Sequence, residues 1–183
     1  MNYLIRSIRA DEWPAVKDLR LAALQDPVAH LAFLDTYEEA VVRSDSFWQE
    51  RAEGGCEGAE AAQQIVGVAP DGQWAGTVTV LIEEPGTTDW AGHAIELRQG
   101  HVVGVYVRPE HRGQGLSEAL FDAGVDWAVK AGVERVRLIV HEDNLRAQAL
   151  YRKIGFVPTG LTVPLGKGGD ESELEFVLPV RRD

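Results

Sequence analysis

Between His101 and Lys130 the chain passes from its most β-favouring run into a helical pattern, across a short turn that holds two glycines. His101-Val102-Val103-Gly104-Val105-Tyr106-Val107 is rich in β-branched and aromatic residues and ends at Arg108-Pro109. Leu116, Leu120, Ala123, Trp127 and Ala131 then recur at helical spacing, and Gly132 suits the position just past a helix end. The pattern predicts a helix from Leu116 to Lys130. The connection reads Arg112-Gly113-Gln114-Gly115-Leu116-Ser117. A strand entering a helix through such a turn leaves backbone N–H groups unpaired at the positive end of the helix dipole. Gly113 and Gly115 remove Cβ atoms from the approach, and Arg112 adds a charged donor. The segment therefore suits an anion, although a plain connection that uses glycine for tight turning would read the same. A dinucleotide-binding fingerprint does not fit, because the third glycine is missing and no βαβ partner follows.

The rest of the chain supplies a frame for this unit. Residues 3–9 alternate as a short first strand. Asp11 reads as an N-cap and Pro14 as a first-turn residue, before an amphipathic helix over 12–25 that stops at Asp26-Pro27. Residues 28–43 show no period, and a helix capped by Ser44 or Asp45 fades at Glu53-Gly54-Gly55. Strands over 62–69 and 74–83 flank Pro70-Asp71-Gly72 and predict a hairpin. Residues 84–99 read as a loop with a short strand at Ala94–Leu97. A strand over 134–140, a helix over 145–154 and a closing hairpin, Phe156–Pro164 with Leu174–Val180 around Gly166 to Asp170, complete the order. No linker or repeat interrupts it, so one domain over 1–183 is expected.

Net charge is −11, from 29 acidic against 18 basic residues. Phosphate backbones demand concentrated Lys and Arg, so nucleic acid is not expected as a partner. The negative field mildly favours a cationic second substrate such as an amine, although it serves solubility equally well. Cys56 is the single cysteine, so an internal disulfide is excluded and a cytoplasmic setting is expected. No apolar run approaches the roughly 20 residues needed to cross a bilayer, and the polar start at Arg6 and Ser7 is unlike a signal peptide. Nothing in the residue pattern calls for a metal.

The turn resembles the acetyl-CoA-binding motif of the GNAT superfamily of N-acetyltransferases, Arg/Gln-x-x-Gly-x-Gly/Ala, matched by Arg112 and Gly115, with Ser117 where the family has glycine or alanine. A second block, Asn144-Leu145-Arg146-Ala147-Gln148-Ala149-Leu150-Tyr151-Arg152-Lys153-Ile154-Gly155-Phe156, resembles the family's Asn-x-x-Ala-x-x-Leu-Tyr-x-x-x-Gly-Phe signature. Taken without the family, Asn144 is a good helix cap and Tyr151 adjoins an apolar face. The resemblance implies an α/β (α+β) fold: a mixed, mostly antiparallel sheet of about seven strands flanked by about four helices. Its sheet would splay between the strands ending near Val107 and Val140.

It further implies acetyl transfer from acetyl-CoA, a co-substrate, to a primary amine on a small molecule or peptide. Backbone amides from Arg112 through Gly113, Gln114, Gly115 and Leu116 to Ser117 would bind the diphosphate. The strand Val105, Tyr106, Val107 would pair with the pantetheine arm, and Asn144 would contact the coenzyme. Tyr151 would protonate the departing thiolate. Family members often place a Glu or His near the strand position of His101 to deprotonate the amine, a task that suits histidine. Two-residue alternation puts His101 on one face with Val103, Val105 and Val107; a solvent-edge histidine is the plainer reading. Glu83 and Glu96 are the fallback bases. Trp90 and residues 28–55 are expected near the acceptor. A non-catalytic acyl-CoA-binding or regulatory module on the same fold is the alternative, and edge strands of the last hairpin offer a surface for a homodimer.

Overall fold

The computed structural model describes residues 2–164 and 171–180 of the protein. Its seven-stranded sheet runs in the order β1-β2-β3-β4-β5-β7-β6. The strands are β1 Leu4–Ser7, β2 Ala62–Val68, β3 Trp74–Glu83, β4 Gln99–Val107, β5 Arg135–His141, β6 Val157–Pro164 and β7 Ser172–Pro179. All pairings are antiparallel except β4 with β5. The helices are α1 Trp13–Leu24, α2 Ala29–Ala32, α3 Tyr37–Val41, α4 Asp45–Gly55, α5 Leu116–Lys130 and α6 Leu145–Lys153. The expected loop at Gly166 to Asp170 lies outside the described residues.

Architecture and strand count follow the expectation, with six α-helices among the described residues in place of about four. The two additional helices, α2 and α3, fall where no period was visible. They are too short to show one, and α3 is held by a local capping box between Thr36 and Glu39. The predicted cap at Asp11 is displaced. A 3-10 turn, Ala10–Glu12, precedes α1, and Glu12 occupies the N-cap. Its carboxylate accepts from Arg6 Nη1 at 2.9 Å and from the Arg9 N–H at 2.8 Å, which winds the chain one turn earlier. The strand expected at 94–97 is reduced to a single bridge, Thr88 with Ala94.

Two apolar layers sandwich the sheet. On one side α5 buries Leu116, Leu120 and Phe121 against Val78, Val80 and Val102. On the other, α1 and α4 bury Leu19 and Trp48 with Tyr106. Leu116, 1% exposed, is driven against β2 so closely that a Cβ on Gly67 would lie 2.5 Å from its Cδ1. Burying that leucine contributes about 2 kcal/mol and pins the first turn of α5 to the sheet.

Two irregularities of β4 prepare the site. β4 pairs with β5 only from Gln99 to Val102, opposite Arg135 to Leu138, so Val103–Val107 and Ile139–His141 diverge. Against β3, the register steps from Val103 opposite Thr79 to Tyr106 opposite Thr77, which inserts an extra residue at Gly104–Val105. Gly104 takes a φ of +63°, open to glycine at least cost. This bulge overturns the expected alternation. Val102, Val105 and Val107 pack toward α5, while Tyr106 joins the α1–α4 side. His101 and Val103, flanking Val102, also face the α1–α4 side; they do not share a face with Val105 and Val107.

Candidate active site

The divergence of β4 and β5 opens two cavities. One, of about 400 Å³, lies over the glycine turn and is lined by Val105, Tyr106, Val107, Arg112, Gly113, Gly115, Ser117, Asn144 and Tyr151. The other, of about 490 Å³, lies on the α1–α4 face and is lined by His101, Trp90, Arg20, Arg51 and Glu173 among others. Val105, Asn144 and Tyr151 line both, as do Ala32 and Phe33 from the segment around α2. The two chambers therefore meet at Tyr151.

At the turn, Gly113 and Gly115 have φ values of +73° and +79°. A Cβ at either would meet no protein atom within 4 Å, so the backbone conformation, rather than crowding within the chain, demands glycine there. Gly115 is the N-cap of α5 and has no side chain to satisfy the first amides of the helix, which leaves those donors available at the cavity. Ser117 lies in this first turn and reaches the cavity. The Leu116 side chain does not, since it is core, and only its backbone N–H remains at the turn. Gln114 also turns away: Tyr3 donates to its Oε1 at 3.2 Å, and its Nε2 donates to the Glu110 carbonyl at 3.1 Å.

Arg112 is partly committed to the fold. Its Nε donates to the Val107 carbonyl at 2.9 Å and its Nη2 to Asp26 at 2.5 Å, so it ties the turn to the end of α1. Burial disfavours the Asp26 charge, yet the bond from Arg112 and the Val28 N–H keep its pKa below the ordinary value. Arg146, on the first turn of α6, lines the same cavity and makes no ion pair among the described residues. Asp26 and Arg146 escaped the sequence reading because each is brought to the turn by tertiary packing alone.

Asn144 caps α6, accepting from the Ala147 N–H at 3.2 Å, and borders both chambers. Tyr151 is wedged among Phe121, Phe156 and Phe176, with ring centroids 5.5 to 6.4 Å away. Burial raises its phenol pKa, so the hydroxyl stays protonated at neutral pH.

His101 is 3% exposed and borders the second chamber; its Nδ1 lies 3.3 Å from Glu83 Oε2. Glu83 also accepts from Arg137 Nε at 2.9 Å and Nη2 at 3.1 Å. Burial opposes its ionisation, but the bonds to His101 and Arg137 prevail and hold it at about 2. An ionised carboxylate only accepts, so Nδ1 carries the hydrogen, and in the neutral ring Nε2 is the nitrogen left to accept a proton. Glu83 is thus an orienting group and poorly suited as a base. Glu96 is exposed and borders neither chamber. Arg137 further binds Asp89 and Glu175, each at 3.0 Å, which anchors the loop carrying Trp90 over the chamber. Glu173 on β7 reaches this chamber and has no hydrogen-bond or ion-pair partner among the described residues; burial raises its pKa. The β7 pattern alone gave no hint of it.

An open α/β sheet, split at its one parallel pair beside a glycine-turned helix N-terminus, defines a class of acyl-CoA-handling folds. Residues 13–156 match the model of the Acetyltransferase (GNAT) family, and the chain belongs to that family. It is 32% identical over 83 residues to a putative [ribosomal protein bS18]-alanine N-acetyltransferase of Bacillus subtilis (strain 168), covering 45% of this chain and 55% of that protein. It is 47% identical over 58 residues to a mycothiol acetyltransferase of Paenarthrobacter aurescens (strain TC1), covering 32% of this chain and 18% of the other. The matched stretches thus span about half or less of these relatives. Among solved structures, a putative acetyltransferase of Salmonella typhimurium, determined with acetyl-CoA, superposes with a TM-score of 0.72 at 16% identity, over 100% of this chain and 96% of that one. A GNAT-family acetyltransferase of Streptococcus pneumoniae gives 0.72 at 16% identity, over 98% and 100%. Among the described residues no helix is long and apolar enough to cross a membrane.

Proposed function

We propose that the protein transfers the acetyl group of acetyl-CoA to a primary amine by direct attack within a ternary complex, in a single cytoplasmic domain. The observation that carries this reading is the meeting of the two chambers at Val105, Asn144 and Tyr151. One chamber offers free helix amides, the Gly113–Gly115 turn and Arg146 to a diphosphate. The other holds the acceptor beside His101. The diverging main chain of Val105–Val107 takes the pantetheine arm between them and supplies an N–H to the oxyanion.

The amine nitrogen must first lose a proton, which passes to the Nε2 lone pair of His101. It then attacks the thioester carbonyl carbon, and the C–S bond breaks as the carbonyl re-forms. The sulfur leaves toward Tyr151, whose protonated hydroxyl donates to it, and the second proton shed by the acylated nitrogen restores the phenol. Glu173 is a second candidate base, favoured by its raised pKa and unpartnered carboxyl. The non-catalytic alternative leaves unexplained why an acceptor chamber opens onto Tyr151. Thiol release from acetyl-CoA with a panel of primary amines tests the reading. Intersecting initial-rate patterns are expected; parallel patterns, or no amine-dependent release, would overturn it.

A further inference from the structure

The acceptor chamber contains an arginine pair that the chemistry above does not use. Arg20 projects from α1 and Arg51 from α4, and both border the chamber and the small void beside it. They share one nearby carboxylate, Asp35, which pairs with Arg20 alone. Arg20 stacks over the Phe33 ring at 4.3 Å, and its Nε is buried without a partner. The Arg51 side chain makes no hydrogen bond or ion pair among the described residues, and Arg51 lines the chamber. Burial and the adjacent Arg20 charge both disfavour its cationic form. In a chain of net charge −11, two arginines held side by side with one counter-ion constitute a local excess of positive charge.

We propose that Arg51, supported by Arg20, binds an anionic group on the acceptor, so that the substrate is a small amino acid with a free carboxylate and the acceptor amine. This inference rests on the acetyl-transfer reading for the amine end only. An amine aimed at the β4–β5 opening leaves the remainder of the molecule directed over β3 and β2 toward α4, where Arg51 stands. The planar guanidinium matches a carboxylate in two parallel hydrogen bonds. A carboxylate would also relieve the repulsion between the two arginines. Glu173, on the opposite flank of the chamber, favours the cationic end of the same dipolar molecule and disfavours an anion placed the wrong way round.

The test compares free amino acids with their carboxamides, which keep the amine and side chain and lose the charge. Steady-state thiol release is measured for the protein, Arg51→Gln and Arg51→Lys. Calorimetric titration of the CoA-loaded protein with N-acetyl amino acids and N-acetyl carboxamides reads the same subsite without turnover. Carboxylates are expected to be favoured about tenfold or more in kcat/KM and in Kd. Arg51→Gln should remove that preference by weakening carboxylate binding alone, and Arg51→Lys should restore part of it. Equal binding of both series, no binding of either, or a preference that survives Arg51→Gln would overturn the proposal. Carboxylates that bind selectively but release no thiol would leave the subsite standing and refute acetyl transfer. Turnover without carboxylate preference would do the reverse.

Discussion

Replacing Glu83 by glutamine keeps its shape and removes its charge, which makes it the sharpest probe of the polar cluster behind the acceptor chamber. Glu83 is mostly buried, with its side chain 13% exposed, and it receives bonds from Arg137 and from Gln99 Nε2 at 2.9 Å. Burial pushes its pKa up, yet His101 and Arg137 carry it down from 4.5 to about 2. The unfolded chain takes up this proton near 4.5 and the folded one only near 2, so the stabilisation is complete above pH 4.5 and lost as pH falls through 2. It is worth about 3 kcal/mol at pH 7 and about 1 kcal/mol at pH 3. Glutamine does not titrate. Urea unfolding of both proteins, followed by tryptophan fluorescence from pH 7 to pH 3, should show a gap of about 3 kcal/mol that narrows steadily below pH 4.5. A gap unchanged at pH 3, or one below about 1 kcal/mol at neutral pH, would mean that Asp89 and Glu175 satisfy Arg137 without Glu83.

Tyr151→Phe should lower kcat at least about tenfold while leaving the acetyl-CoA Kd within about twofold, by stopped-flow and equilibrium titration; unchanged turnover removes the acid role. Gly115→Ala forces a side chain onto a φ of +79°, and should cost about 1–2 kcal/mol in thermal unfolding and weaken acetyl-CoA binding. His101→Ala should lower kcat/KM about 100-fold near neutrality and erase its rise with pH, whereas Glu173→Gln should leave that rise in place. The opposite pair of outcomes would transfer the base role to Glu173.

What could be read from the chain was what local pattern encodes. The β4–turn–α5 unit carries β-branched residues, paired glycines and a 3.6-residue stripe within 30 residues, and α5 begins and ends where that stripe does. The β2–β3 hairpin was equally visible at Pro70-Asp71-Gly72. The α2–α3 segment was not, since helices of four and five residues complete too few turns to show a period. The acceptor side was legible only coarsely, as Trp90 and residues 28–55, because Arg20, Arg51 and Glu173 come from α1, α4 and β7 and converge only on folding. Arg112 illustrates the limit within a motif. Its motif position was evident, but its tie to Asp26, 86 residues away, was not. Gly104 was a local signal passed over, as was the Thr36–Glu39 capping box of α3. A glycine inside a strongly β run marks a bulge as readily as a weak point.

That glycine sets the handedness of everything downstream of it. Upstream, odd-numbered side chains of β4 serve the acceptor; past it, odd numbers serve the core and the even-numbered Tyr106 crosses over. The strand works like a railway switch, with one extra residue as its points. Deleting Gly104 alone would remove the bulge and restore regular pairing with β3, while Val105 would still face α5 and the Tyr106 phenol the α1–α4 side. A residue inserted just after Gly104 would instead exchange the faces of Val105 and Tyr106, so redesign of this strand must hold the residue count between Gly104 and Arg112.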